Sequence, residues 1–386
     1  MLPIWVYLLI IAYSFRFGDT IIHCHQKNVT VELSESSTFG QLTTESIATW
    51  LCWKQDTQLN AQTIVHLTIH GFTYDHNYWS FPYQWPNYSY VDYVIENSNS
   101  NIVVLNIDRL GVGFSSKPNA SYVTLDSHAN VIYQLTKKLN EGLFQNINFT
   151  NIILVGHSLG AIIALATASN TSYNQYIHGL IATGALHLSN PAGVDIFVAS
   201  FYPVQLDPKL SNQSLPEGYI TINPFNNTRQ IIFYNINDAD LNVITLDEQM
   251  RQTGTEGELP AFGALQSTLT SMIPSTIPVL VVVGQYDIIF CNMTNPNLSC
   301  DNALVIQQRE QSSYSRPINT YVLPQAGHGI NLHLNSEDWY QQALIWTQQY
   351  FEKNIGLTLF GGLNISLIIQ SFLIVILYFI TYEQNK

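Results

Sequence analysis

Residues 152–168 read IILVGHSLGAIIALATA, and the reading of this stretch decides the fold. Ile152 to Val155 is a short apolar run of the kind that forms a strand buried on both faces. A helical pattern of small apolar residues opens at Leu159. Between the two stands Gly156-His157-Ser158-Leu159-Gly160, a G-x-S-x-G in a strand–turn–helix setting. A side chain on so sharp a turn has a strained backbone, and a glycine two residues away on each side leaves it room. The turn lifts the Ser158 hydroxyl above the sheet edge and aims the N–H of Leu159 at any negative charge that develops there.

Working outward, further apolar runs read as strands: Thr63 to His70, Asn101 to Ile107, Leu180 to Thr183, Pro278 to Val283 and Thr320 to Leu323. Nearly continuous apolar runs mark the buried strands of a parallel sheet. Upstream, Val29 to Leu33 and Ile47 to Trp53 suit an antiparallel start. The spacing predicts helices over Ser127–Leu139, Leu159–Ala168 and Ser336–Tyr350. Strand–helix alternation means an α/β architecture. Residues 190–275 break the rhythm; they are rich in Pro, Asn and Gln, lack a clear buried strand and read as an inserted cap. The body therefore divides into core residues 25–189, the cap 190–275 and core residues 276–353.

A serine hydroxyl is a poor nucleophile at neutral pH and needs a base. Of the 11 histidines, His328 in AGHGIN stands just past the last strand, flanked by glycines. His333 is a second candidate on the same turn, whereas His66 and His128 lie in strand and helix patterns and read as structural. The base in turn needs an orienting carboxylate. Asp287 in GQYD follows the buried run PVLVVV, at the strand end where ligands and catalytic groups collect in open α/β sheets. Asp301 is the alternative acid, and Asp238 and Asp240 in the cap are expected to face water. A second N–H donor to an oxyanion is expected from Phe72 in His70-Gly71-Phe72, with Leu159 as its partner. The His70 side chain reads as structural, and Tyr74, Asp75, His76 and Trp79 as pocket wall or packed loop. Asp108 to Ser115 (DRLGVGFS) lacks the third glycine of a dinucleotide fingerprint and reads as a structural turn built on an Asp108–Arg109 hydrogen-bond network.

In order along residues 60–350, the motifs HGFTY, IDRLGVGFS, GHSLG, GQYD and AGHG resemble those of the α/β-hydrolase superfamily, and in particular its secreted esterase- and lipase-like members. The resemblance implies a doubly wound, mostly parallel sheet, a Ser158–His328–Asp287 triad acting on a small-molecule ester, and no metal or cofactor. Dehalogenases and soluble epoxide hydrolases of the fold carry Asp at the nucleophile position, so Ser158 points away from them. The 41 residues from Asp287 to His328 hold a Cys291–Cys300 loop, which is expected to add a wall to the pocket. Two other readings keep the fold: a catalytically silent adhesion or receptor ectodomain, and a peptidase using acids such as Asp195, Asp238, Asp240 or Glu256 to hold an amine.

The composition bounds the partners. The chain has 386 residues, 14 Lys+Arg against 27 Asp+Glu, and a net charge of −13, too few bases for a nucleic-acid face. At 46% hydrophobic residues it is not disordered by composition. Residues 2–15, LPIWVYLLIIAYSF, match the apolar part of a secretory signal, assigned to residues 1–20, or a signal anchor. No charge occurs between Lys353 and Glu383, and residues 357–382 are long enough to cross a bilayer as a helix. A core helix or a lipid-anchor signal at Gly361 and Gly362 are the alternatives, but the chain continues past the apolar run with EQNK. The expectation is a single-pass membrane protein of the secretory pathway with its body lumenal or extracellular. Ten N-x-S/T sequons agree with export. So do four cysteines: of three possible connectivities, proximity favours Cys24–Cys52 with Cys291–Cys300. No C-x-x-C pair occurs, which argues against zinc and thioredoxin-like chemistry.

Overall fold

In the computed structural model, residues 21–34, 42–98, 102–265 and 267–352 are described. The segments read as signal (1–20) and membrane span (357–382) lie outside them. Among the described residues no helix is long and apolar enough to cross a membrane.

The chain opens with two 13-residue strands, β1 (Ile22–Ser34) and β2 (Leu42–Lys54), paired antiparallel. Val29, Val31 and Leu33 are buried while Thr30 and Glu32 are exposed, the alternation of a sheet with one face in the core. Cys24 and Cys52 stand opposite each other in this pair and form a disulfide. Then come β3 (Ile64–Ile69), β4 (Ile102–Ile107), β5 (Asn151–His157) and β6 (Gly179–Thr183). Three short strands follow, β7 (Phe201–Pro203), β8 (Tyr219–Ile222) and β9 (Gly254–Thr255), before β10 (Val279–Gly284) and β11 (Asn319–Leu323). The main sheet has eight strands in the order β1-β2-β4-β3-β5-β6-β10-β11. From β4 to β11 every pairing is parallel. β3, β4 and β10 are buried at every position, and the polar side chains they hold, His66, Thr68 and Asn106, are hydrogen-bonded inside the fold.

Helices cover this sheet. Leu125–Asn140 starts two residues before its apolar pattern, because Thr124 caps it and exchanges hydrogen bonds with Ser127. Leu159–Ser169 is buried throughout, and its Ala and Gly residues allow close approach to the strands. Ser336–Phe351 closes the described fold. The described residues up to Thr347 gather into one compact unit; of the other, Gln348–Lys386, only residues 348–352 are described.

Among the described residues between Thr183 and Val279 no strand joins the main sheet. Helices Pro191–Ala199, Thr228–Phe233 and Leu241–Met250 alternate there with a small antiparallel sheet, ordered β7-β8-β9. This corrects the expectation that residues 190–275 hold no buried strand, since β8 is buried at all four positions. Its segment, YITI, is too short to stand out among Pro and Asn residues, and its edges are completed only by residues far along the chain.

Candidate active site

Parallel pairing brings the C-terminal ends of β3, β5, β10 and β11 to one edge of the sheet. Ser158 follows β5 directly, with φ 53° and ψ −119°, a conformation that side chains rarely adopt. Its N–H donates to the carbonyl of Thr183 at 2.7 Å, and its carbonyl accepts from Ala161 and Ile162, which locks the turn between strand and helix. The glycines earn their place by contact. A Cβ on Gly156 would stand 2.3 Å from the Gly160 carbonyl oxygen, and one on Gly160 only 2.1 Å from that of Ile69.

His328 follows β11 and Asp287 follows β10. The Nδ1–H of His328 donates to Asp287 Oδ2 at 2.7 Å. A carboxylate can only accept, so the proton sits on Nδ1 and leaves Nε2 free to accept the Ser158 hydroxyl, 2.9 Å away. The other oxygen of Asp287 accepts the N–H of Ile289 at 3.0 Å. Asp287 and His328 are buried, while Ser158 is half-buried. The structure thus brings residues 158, 328 and 287 into one hydrogen-bonded row.

Aromatic rings wall this row. Phe233 and Phe290 flank the His328 imidazole, with centroids at 5.7 and 6.1 Å. His157 lies 5.0 Å from it and stacks on Tyr78 at 4.4 Å. Burial, followed by the nearby His328, holds the His157 pKa well below the usual range, so that ring is neutral. The second disulfide, Cys291–Cys300, closes the loop that begins beside Phe290.

At the end of β3, Gly71 approaches Ser158 closely: a Cβ there would stand 3.3 Å from Ser158 Cβ. The next N–H, of Phe72, and that of Leu159 both lie beside the Ser158 turn, and neither donates to an acceptor among the described residues. The remaining candidates are placed elsewhere. His66 is buried between Tyr90 and Thr347. His70 bonds the Gly71 carbonyl and the Arg109 N–H. His333 does not reach Ser158; it bonds backbone of its own turn. Asp301 is exposed. Asp238 and Asp240 are half-buried rather than facing water, and Asp240 caps the helix Leu241–Met250. Trp79 is fully buried against Tyr90 and Trp339, and Tyr74 packs on Tyr78 and Phe233.

The expected joint Asp108–Arg109 network is two networks. Asp108 accepts from the backbone and ring of His76 and from the Phe114 N–H. Arg109 turns away to Glu258, which also accepts from His128 at 2.8 Å. Successive side chains at a strand end point to opposite sides, so neighbours in sequence serve different partners. Asp75, His76 and Asp108 place ligand atoms within 4.8 Å of one another, but each carboxylate is already engaged by N–H donors, Asp75 by Asn77 and Gln252. Sequence reading also missed a buried pair, Arg229 with Asp247, whose guanidinium lies over Tyr74 and Phe233.

A strand-ordered sheet with a serine, a histidine and an aspartate aligned at its edge is the architecture of one enzyme class, and comparison with known proteins agrees. The family model described as "Alpha/beta hydrolase family" matches residues 67–342, and the chain belongs to that family. "Probable lysophospholipase BODYGUARD 1" of Arabidopsis thaliana is 33% identical over 141 residues, 36% of this chain and 26% of that protein. "Probable lysophospholipase BODYGUARD 2" of the same organism is 33% identical over 100 residues, 26% of this chain and 18% of that one. The chain thus matches about a quarter or less of the length of these curated relatives. Among solved structures, a soluble variant of monoglyceride lipase from Saccharomyces cerevisiae shares the fold with TM-score 0.56 and 16% identity, covering 89% of this chain and 99% of that one. The peroxisomal alpha-beta-hydrolase Lpx1 of the same yeast does so with TM-score 0.53 and 13% identity, covering 93% and 98%.

Proposed function

We propose that this chain is a serine hydrolase that cleaves carboxylic esters with lipid-like or small apolar acyl groups. The observation that carries the reading is the row Ser158–His328–Asp287, with contacts of 2.9 and 2.7 Å. His328 Nε2 takes the hydroxyl proton as Ser158 Oγ attacks the ester carbonyl. Asp287 holds the Nδ1–H and favours the imidazolium. The N–H groups of Phe72 and Leu159 receive the oxyanion, where one such donor is worth about 2.7–4 kcal/mol. His328 returns the proton to the leaving alcohol, then activates a water that releases the acid from Ser158.

The preference for apolar acyl groups is supported by the phenylalanines beside the base, and by the name lysophospholipase carried by the partial relatives. We take residues 190–275 as the cap, because Phe233 in that segment packs on His328. The proposal extends to location: a secretory-pathway protein held by a single span at 357–382, its signal at 1–20. Two disulfides support an oxidising compartment. Eight described sequon asparagines, Asn28, Asn87, Asn119, Asn148, Asn170, Asn212, Asn226 and Asn297, are exposed, and Asn292 is half-buried.

Turnover of p-nitrophenyl esters of graded acyl length by the full chain tests the function. Hydrolysis that Ser158→Ala abolishes supports it. A folded parent chain that cleaves none of the esters, or that prefers aminoacyl amides, contradicts it.

A further inference from the structure

The Phe72 N–H acts only if its peptide faces Ser158, and the structure shows what holds that peptide from behind. We propose that Arg109 is a positioning residue that aims the Phe72 N–H at the oxyanion by gripping the carbonyl of the same peptide, that of Gly71. This rests on the hydrolase reading above.

In a trans peptide the C=O and the N–H point in opposite directions. Fixing one therefore fixes the other. The Gly71 carbonyl accepts two hydrogen bonds, from His70 Nδ1–H at 2.9 Å and from Arg109 Nη2 at 3.2 Å. The His70 tautomer is set by its other nitrogen, since Nε2 accepts the Arg109 N–H at 3.0 Å and the proton must sit on Nδ1. Arg109 thus acts twice, directly through its guanidinium and indirectly through the ring of His70. Burial, then the charge of Arg109, keeps His70 neutral by holding its pKa well below the usual range. Two donors on one carbonyl also polarise the amide, which strengthens the N–H on its far side.

Arg109 is itself held by the inserted segment. Its Nη1 donates to Glu258, whose carboxylate also takes the His128 Nε2–H at 2.8 Å and the Thr255 N–H at 2.8 Å. Burial alone would raise the Glu258 pKa, but the charge of Arg109 and the bond from His128 outweigh it and bring it to about 2. The far side of the turn is held too. Thr73, at φ 59°, accepts from Arg229 Nη1 through its hydroxyl at 2.9 Å and from the Gln252 N–H through its carbonyl at 3.0 Å. The peptide has no freedom to turn its N–H away while Arg109 holds the carbonyl.

Arg109→Lys keeps a positive charge for Glu258 but lacks the fork that also reaches Gly71. His70→Gln sets its amide oxygen where Nε2 accepted the Arg109 N–H, and its NH2, at the far end of the side chain, leaves the Nδ1 position beside the Gly71 carbonyl without a donor. By analogy with the loss of an oxyanion donor, Arg109→Lys is expected to lower kcat by about tenfold or more with KM within about threefold. The rate of fluorophosphonate labelling and the affinity for an oxyanion-forming trifluoromethyl ketone fall by the same factor, while affinity for the product acid does not change. His70→Gln moves all three in the same direction. Retained kcat in Arg109→Lys overturns the proposal. So does a loss shared equally by kcat, KM and thermal midpoint with ketone affinity unchanged, which marks a merely structural role. If Arg109→Lys does not fold, His70→Gln decides by the same readings, and failure of both to fold overturns it. A parent chain that labels but cleaves no ester contradicts the ester function alone, because the labelling rates still decide the role of Arg109. A parent chain that does not label overturns both.

Discussion

The Nε2 of His333 accepts the N–H of Gly327 at 2.9 Å, on the turn that presents His328. The same nitrogen accepts the N–H of Asn235 at 3.2 Å, and Nδ1–H donates to the Gly329 carbonyl at 3.0 Å. One imidazole therefore brackets His328 and ties its turn to Asn235, between β8 and β9. The Gly329 N–H adds a second tie, to the Phe233 carbonyl at 2.8 Å.

Replacing this ring separates its acceptor from its bulk. His333→Phe is expected to lower kcat by about tenfold or more, because misplacing a catalytic group by even about 1 Å is costly. His333→Gln, which can accept where Nε2 did, is expected to recover most of the loss. Steady-state kinetics on both variants check this, and equal activity in all three proteins contradicts it.

Burial sets an acid limit to stability. It lowers the pKa of His66 from 6.5 to about 3 and that of His333 from 6.5 to about 4. Between those values and 6.5 the unfolded chain binds protons that the folded chain does not, so stability falls as pH drops from 7 towards 4. Urea unfolding at pH 7 and pH 5 should give a lower midpoint at pH 5, and His333→Gln should flatten the difference. A midpoint that rises on acidification contradicts the assignment.

The two disulfides are predicted to differ in effect. By loop closure, Cys24–Cys52, 28 residues apart, stabilises by about 3.5 kcal/mol and Cys291–Cys300, nine apart, by about 2.5 kcal/mol. Only the second adjoins Phe290, which packs on His328. Replacing Cys24 and Cys52 by Ser should lower the thermal midpoint with kcat retained in the folded fraction. Replacing Cys291 and Cys300 should lower both.

Gly160→Ala should destabilise by about 1–3 kcal/mol, the ordinary range for overpacking. Its Cβ would meet the carbonyl oxygens of Ile69 and His70 at 2.1 and 2.7 Å, and backbone cannot step aside as a side chain can. An unchanged thermal midpoint would show that the strand–helix junction is looser than described.

What the sequence made legible follows from where the information lies. The strands of the main sheet stood out because burial on both faces favours nearly continuous apolar runs, as in β10. Ser158, His328 and Asp287 could be singled out because each sits one short turn past such a strand. Arg109 could not be paired with Glu258, because 149 residues separate them and nothing local marks either as buried. The role of His333 was equally hidden: its partners are backbone groups of Gly327, Gly329 and Asn235, which carry no signature in a sequence. β8 was missed because four residues are too few for a period to show.

The central claim is that Ser158 is made nucleophilic by His328. Its most direct test is to label the folded full chain with a fluorophosphonate and map the adduct by mass spectrometry. The account predicts one adduct on the peptide bearing Ser158, absent in Ser158→Ala and at least about a hundredfold slower to form in His328→Ala. Labelling at another residue, or labelling of Ser158→Ala at the parent rate, would contradict it.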